Sequence, residues 1–117
     1  MDVSVNLAQK LSTFTDYWQP RTVAEFNSND IMVVKVFGEF NWHALPETDD
    51  VFLVLHGQLE IRMRDHTEIL GPGDLYVVRR GVEHQPFAAA ETHLLLIEPS
   101  GTPNTGDHAS AAPRQRA

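Results

Sequence analysis

The chain has 117 residues, 42% hydrophobic and 21% charged, with a formal net charge of -7. That length fits one domain with room for a core. The absence of cysteine excludes disulfides, thiolate metal sites and cysteine nucleophiles, and the acidic balance argues against nucleic-acid binding, which needs a basic footprint. No segment approaches the roughly 18 to 20 consecutive apolar residues of a membrane span. The stretch Met1 to Asn6 has no basic run followed by an apolar one, so a secretory signal is not expected, and the expected compartment is the cytoplasm.

Residues 4–18 read as a helix. Leu7, Leu11, Phe14 and Trp18 recur along one face of a 3.6-residue period. Asn6 suits the N-cap, with Gln9 three residues on, and Pro20 ends the segment. An apolar face of this kind needs cover from a sheet or a partner subunit.

After Pro20 the signals change to strands. Ile31–Phe37 is rich in β-branched residues, and Val51–Leu55 is a second such run, followed by a turn at His56-Gly57. Gln58–Arg64 alternates polar and apolar strictly, the mark of a half-buried antiparallel strand. Turns at Asp65-His66 and Gly71–Asp74 precede a strand over Leu75–Val78, and Arg79-Arg80-Gly81 turns again. Thr92–Glu98 is the last strand. Short strands at roughly ten-residue spacing predict an all-β sandwich or closed barrel. Residues 105–117 are small and polar and predict a flexible tail. The expected organisation is a helical segment over 1–19, a barrel over 20–104 and the tail.

Two segments are more specific. Gly38 to Gly57 contains Trp42-His43-Ala44-Leu45 and Asp49-Asp50. Gly73 to Pro86 contains Gly73-Asp74, Arg79-Arg80-Gly81 and Glu83-His84. Together they resemble the two motifs of the cupin superfamily. The end of the chain, Glu98 to Asp107, looks like that of small single-domain bacterial cupins often labelled mannose-6-phosphate isomerase-like. The resemblance implies a single-domain jelly-roll barrel, a small-molecule ligand and a homodimer.

In that family two histidines and a glutamate of the first motif bind a divalent metal with a histidine of the second. Carried over residue by residue, the resemblance places His43 and His84 at two histidine positions, Asp50 at the carboxylate and Leu45 where a third imidazole would stand. Arg79 replaces the usual proline of the second motif. The implied site is His43, Asp50 and His84, for iron, manganese, nickel or zinc. Losing one imidazole should weaken such a site by several kcal/mol, judging from the roughly 10 to 16 kcal/mol shared among four ligands in structural zinc sites. Strand parity would point Leu45 into the barrel beside His43.

Each of these residues also has a plainer reading: an interior histidine for His43 or His84, a solvated loop carboxylate for Asp50. His56 and His66 read as turn residues, His93 as the start of a strand, and His108 as part of the tail. Arg79 or Arg80 either pairs with acidic groups on the surface or reaches the pocket mouth to hold an anion. The aromatics Trp42, Phe52, Tyr76 and Phe87 either line a pocket or pack the core. Three functions stay open. One is metal-assisted chemistry of isomerase or oxygenase type on a sugar or small acid, with its catalytic residues unknown. The second is metal-free ligand binding in which Leu45 makes the pocket apolar and Arg79 or Arg80 fixes an anionic group, with Trp42 a further ligand-binding candidate. The third is a structural or regulatory subunit.

Overall fold

A computed structural model of the chain describes residues 3–106, 111–112 and 114–117. These residues form one short helix, α1 (Leu7–Leu11), and eight strands. The strands are β1 (Arg21–Phe26), β2 (Asn29–Glu39), β3 (Asp50–His56), β4 (Leu59–Met63), β5 (Thr67–Leu70), β6 (Leu75–Val78), β7 (His84–Pro99) and β8 (Gln115–Arg116). No helix among them is long and apolar enough to cross a membrane.

β7 organises the sheet. From Phe87 to Pro99 it runs antiparallel to β2, from Asn29↔Pro99 to Glu39↔Phe87. Its second half also pairs with β3, and its first half with β4. β6 extends β3 on one side and β5 extends β4 on the other. The strands thus wrap into the expected jelly-roll barrel.

Alternation selects the interior. On β2, Asp30, Met32, Val34 and Val36 are buried. On β7, Thr92, Leu94, Leu96 and Glu98 are buried, and on β3 so are Asp50, Phe52 and Val54. This period-two pattern fills one core. Val33 faces the other way and is also fully buried, because Leu11 and Phe14 pack over it on the outside of the sheet. Lys35 and Arg21 lie over the Phe14 ring at 5.3 and 4.6 Å.

The helix is shorter than the expected 4–18. Asn6 does cap it, accepting from the Gln9 amide at 2.9 Å. It ends at Leu11 because Ser12 and Thr13 turn their hydroxyls back onto the Gln9 and Lys10 carbonyls, both at 2.6 Å. The expected face therefore divides. Leu11 and Phe14 are buried on the chain's own sheet, so that part of the face needs no partner for cover. Trp18 adopts a positive φ of 61° and turns inward. Its amide donates to the Lys35 carbonyl and its indole N–H to that of Phe37.

The described part of the expected flexible tail is tied down instead. β8 runs parallel to β1, with the Ala117 amide donating to the Thr22 carbonyl. Arg116 pairs with Glu25, and Arg114 pairs at 2.7 Å with the buried Asp30. These two arginines are the counter-charges of carboxylates on the barrel. His108 lies outside the described residues.

Gly57 is fixed by its surroundings. Its φ is +89°, and an added Cβ would stand 2.5 Å from Thr92 Oγ1. That hydroxyl also receives the Gln58 amide. Gly57→Ala is predicted to cost about 2 kcal/mol or more, from left-handed strain plus the clash; urea denaturation of the variant against wild type measures it.

Candidate metal centre

His43 lies in the irregular segment between β2 and β3, and His84 opens β7. Two reciprocal backbone hydrogen bonds lock them together: His43 N–H to the His84 carbonyl at 3.0 Å, and His84 N–H to the His43 carbonyl at 2.9 Å. The imidazoles consequently lie side by side, with centroids 4.3 Å apart and planes tilted by 51°. Asp50, the first residue of β3, joins them from the interior face. One ligand atom from each of His43, Asp50 and His84 lies within 4.8 Å of the others.

The tautomers follow from the partners. His43 Nδ1 is 2.9 Å from the Asn41 carbonyl and His84 Nδ1 is 2.9 Å from the Val82 carbonyl. A carbonyl only accepts, so both Nδ1 atoms carry the proton and both Nε2 atoms present lone pairs. Burial, reinforced by the neighbouring His84, holds His43 below the ordinary histidine range, which favours the neutral form a metal needs; the Asn41 carbonyl and Asp50 pull the other way.

His84 Nε2 is buried without a hydrogen-bond partner, 3.4 Å from Asp50 Oδ2. A buried polar atom of this kind calls for an occupant. Ligands bonded at 2.0–2.2 Å to one ion stand about 3 to 4.4 Å apart. The Asp50–His84 separation already fits, and the full triad fits with a slight contraction.

Arg79 and Arg80 do not reach this site. The Arg79 guanidinium lies 3.1 Å from Asp49 and the Arg80 amide donates to Asp49 at 2.9 Å. These contacts hold the Asp49 carboxyl below its usual range, the Arg80 amide contributing most. The pair pins the loop that delivers Asp50, and neither arginine lines the cavity. Leu45 is buried but also misses the interior. It lines a separate depression with Pro46, Pro99 and Pro103. The parity argument fails for Leu45 because residues 44–49 form no strand. Trp42 lies outside too, its ring 3.8 Å beneath the Arg64 guanidinium. Phe87 sits likewise under Arg62, and Tyr76 packs against the core. Phe52 alone of the four aromatics lines the cavity.

The interior cavity is small, about 40 Å³. His43 and Asp50 form part of its wall. The remainder includes Trp18, Phe40 and Glu98, none of which sequence reasoning placed there. Glu98 shares the parity of Leu94 and Leu96, so the period of β7 carried the signal. It pairs in register with Asp30 and sits one residue beyond the Val51↔Ile97 pair, close to Asp50. Trp18 was hidden by its apparent place on the helix face.

Residues 30–98 match the family model for the cupin domain, and the chain belongs to that family. It is 30% identical over 78 residues to the uncharacterized protein YdbB of Bacillus subtilis, covering 66% of this chain and 69% of that one. A cupin-2 domain containing protein of Shewanella frigidimarina has a crystal structure that superposes with a TM-score of 0.80 at 44% identity, over 81% of this chain and 93% of that one. Protein NMB1881 of Neisseria meningitidis superposes with a TM-score of 0.76 at 28% identity, over 84% of this chain and the whole of the other.

Burial raises the Glu98 carboxyl from 4.5 to about 8; the Asp50 charge and then Asp30 push the same way, while Arg114 opposes them. The metal-free folded chain therefore keeps a proton that the unfolded chain releases near 4.5. The sign follows: stability is full below the unfolded value and declines as pH rises towards about 8. Thermal unfolding of metal-free wild type should show Tm falling across this window. Glu98→Gln should flatten the fall and be the more stable of the two at its alkaline end.

Proposed function

We propose that the chain is a small-molecule-binding cupin that holds one divalent metal ion on His43, Asp50 and His84. The observation that carries this reading is the buried, unpartnered His84 Nε2 beside Asp50. Two neutral imidazoles and one carboxylate suit iron, manganese, nickel or zinc and leave coordination positions free. The Asn41 and Val82 carbonyls fix both rings and keep their Nε2 atoms as acceptors, the outer-shell arrangement that makes histidine a better ligand. A bound ion would supply polarisation of a substrate oxygen. The chain's own contribution is to orient the substrate in the cavity and to exclude water with its apolar wall.

Elemental analysis of the purified protein tests the site. The expected result is close to one metal per chain, lost in His84→Ala and in Asp50→Asn. Added metal should raise the Tm of wild type and leave both variants unmoved, since an ion that binds only the folded state stabilises it by mass action. Absence of metal after incubation with all four ions and dialysis would overturn the reading.

A further inference from the structure

The cavity wall restricts what can enter. Among the described residues its polar side chains are His43, Asp50, Glu98 and Asn104, and no lysine or arginine lines it. Arg114 approaches the same end of the barrel, but its guanidinium is taken up by Asp30 and the Thr102 carbonyl. In the metal-free chain an anionic ligand would thus meet carboxyl groups with no free side-chain cation to offset them. A sugar fares little better: each hydroxyl buried without a partner would lower its affinity about tenfold, and the wall offers few partners.

The rest of the surface is apolar and partly aromatic. Trp18 and Phe40 stack on each other at 4.8 Å with 24° between their planes, and both border the cavity. Val34, Val36, Phe52 and Leu94 complete the enclosure. Aromatic rings favour faces and edges of other rings.

Resting on the reading of the barrel interior as a ligand site, we infer that its ligand is a small, flat, uncharged aromatic molecule with a single hydroxyl or similar polar group, a phenol in chemical class. Its ring packs against the exposed face or edges of the stacked Trp18–Phe40 pair and its oxygen faces the His43, Asp50 and Glu98 side of the cavity. This is a different class from the sugars and small acids that the family label brings to mind.

The test uses a Trp42→Phe chain, in which the half-buried Trp18 is the sole indole and Trp42 is removed from outside the cavity. The metal-free and metal-loaded forms are each titrated with phenol, mannose and benzoate, followed by calorimetry and indole fluorescence. Phenol should shift the Trp18 emission and bind at least tenfold more tightly than mannose or benzoate. Phe40→Ala, checked for folding by thermal melt, should weaken phenol about fivefold. Mannose or benzoate binding as tightly as phenol would overturn the inference, as would phenol that fails to bind up to its solubility limit or binds without moving Trp18. The metal reading fails separately. Phenol binding to a chain that retains no metal leaves this inference standing and removes the metal centre; metal retention without phenol binding does the reverse.

Discussion

The pairing of β7 on both of its edges is the constraint from which the rest of the structure follows. One sixteen-residue strand is shared by β2, β3 and β4. Because side chains alternate along it, one continuous register commits Leu94, Leu96 and Glu98 to the interior together with His84 at its start. A slip of one residue would expel the core and the histidine at once. Shape and candidate chemistry are therefore set by the same row of backbone hydrogen bonds.

The site adds two local devices to that frame. The reciprocal bonds between His43 and His84 carry an irregular segment onto the edge of the regular strand, and Asp49, held by Arg79 and Arg80, fixes the loop just before Asp50. Asp30, Asp50 and Glu98 are all buried at this end of the barrel, a costly arrangement without compensation. Arg114 offsets part of it directly through Asp30, and Glu98 relieves another part by keeping its proton. A divalent cation among His43, Asp50 and His84 would relieve more.

Strand signals were legible where β-branched residues or strict alternation marked them, as in β2, β3, β4, β6 and the second half of β7. The short β5 lies between two turns, and the first half of β7 runs through Ala88, Ala89 and Ala90, which say little about conformation. The three residues carried over by the family motif do meet in space. Leu45, Trp42 and Arg79 do not join them, because parity and proximity in sequence have no hold on an irregular loop. Trp18 was misplaced for a related reason: the hydroxyls of Ser12 and Thr13 end the helix in a way that apolar spacing alone does not reveal. Glu98 was readable from alternation, yet a lone carboxylate at a strand end resembles an ordinary solvent-facing one until three strands close around it. The pairing of Arg114 with Asp30 joins positions far apart in the chain, where composition has no information.

The shared strand also determines how the molecule can breathe. Amides in the middle of β7, bonded on both edges, can exchange with solvent only when the whole barrel opens. The cavity, however, is flanked by pieces that hang on fewer bonds. Trp18 is held by two hydrogen bonds to β2, and Asn104 belongs to a segment anchored largely by Arg114 and a two-residue strand. The most firmly bonded part of the protein and the pieces held by the fewest bonds thus lie on either side of a single layer of side chains.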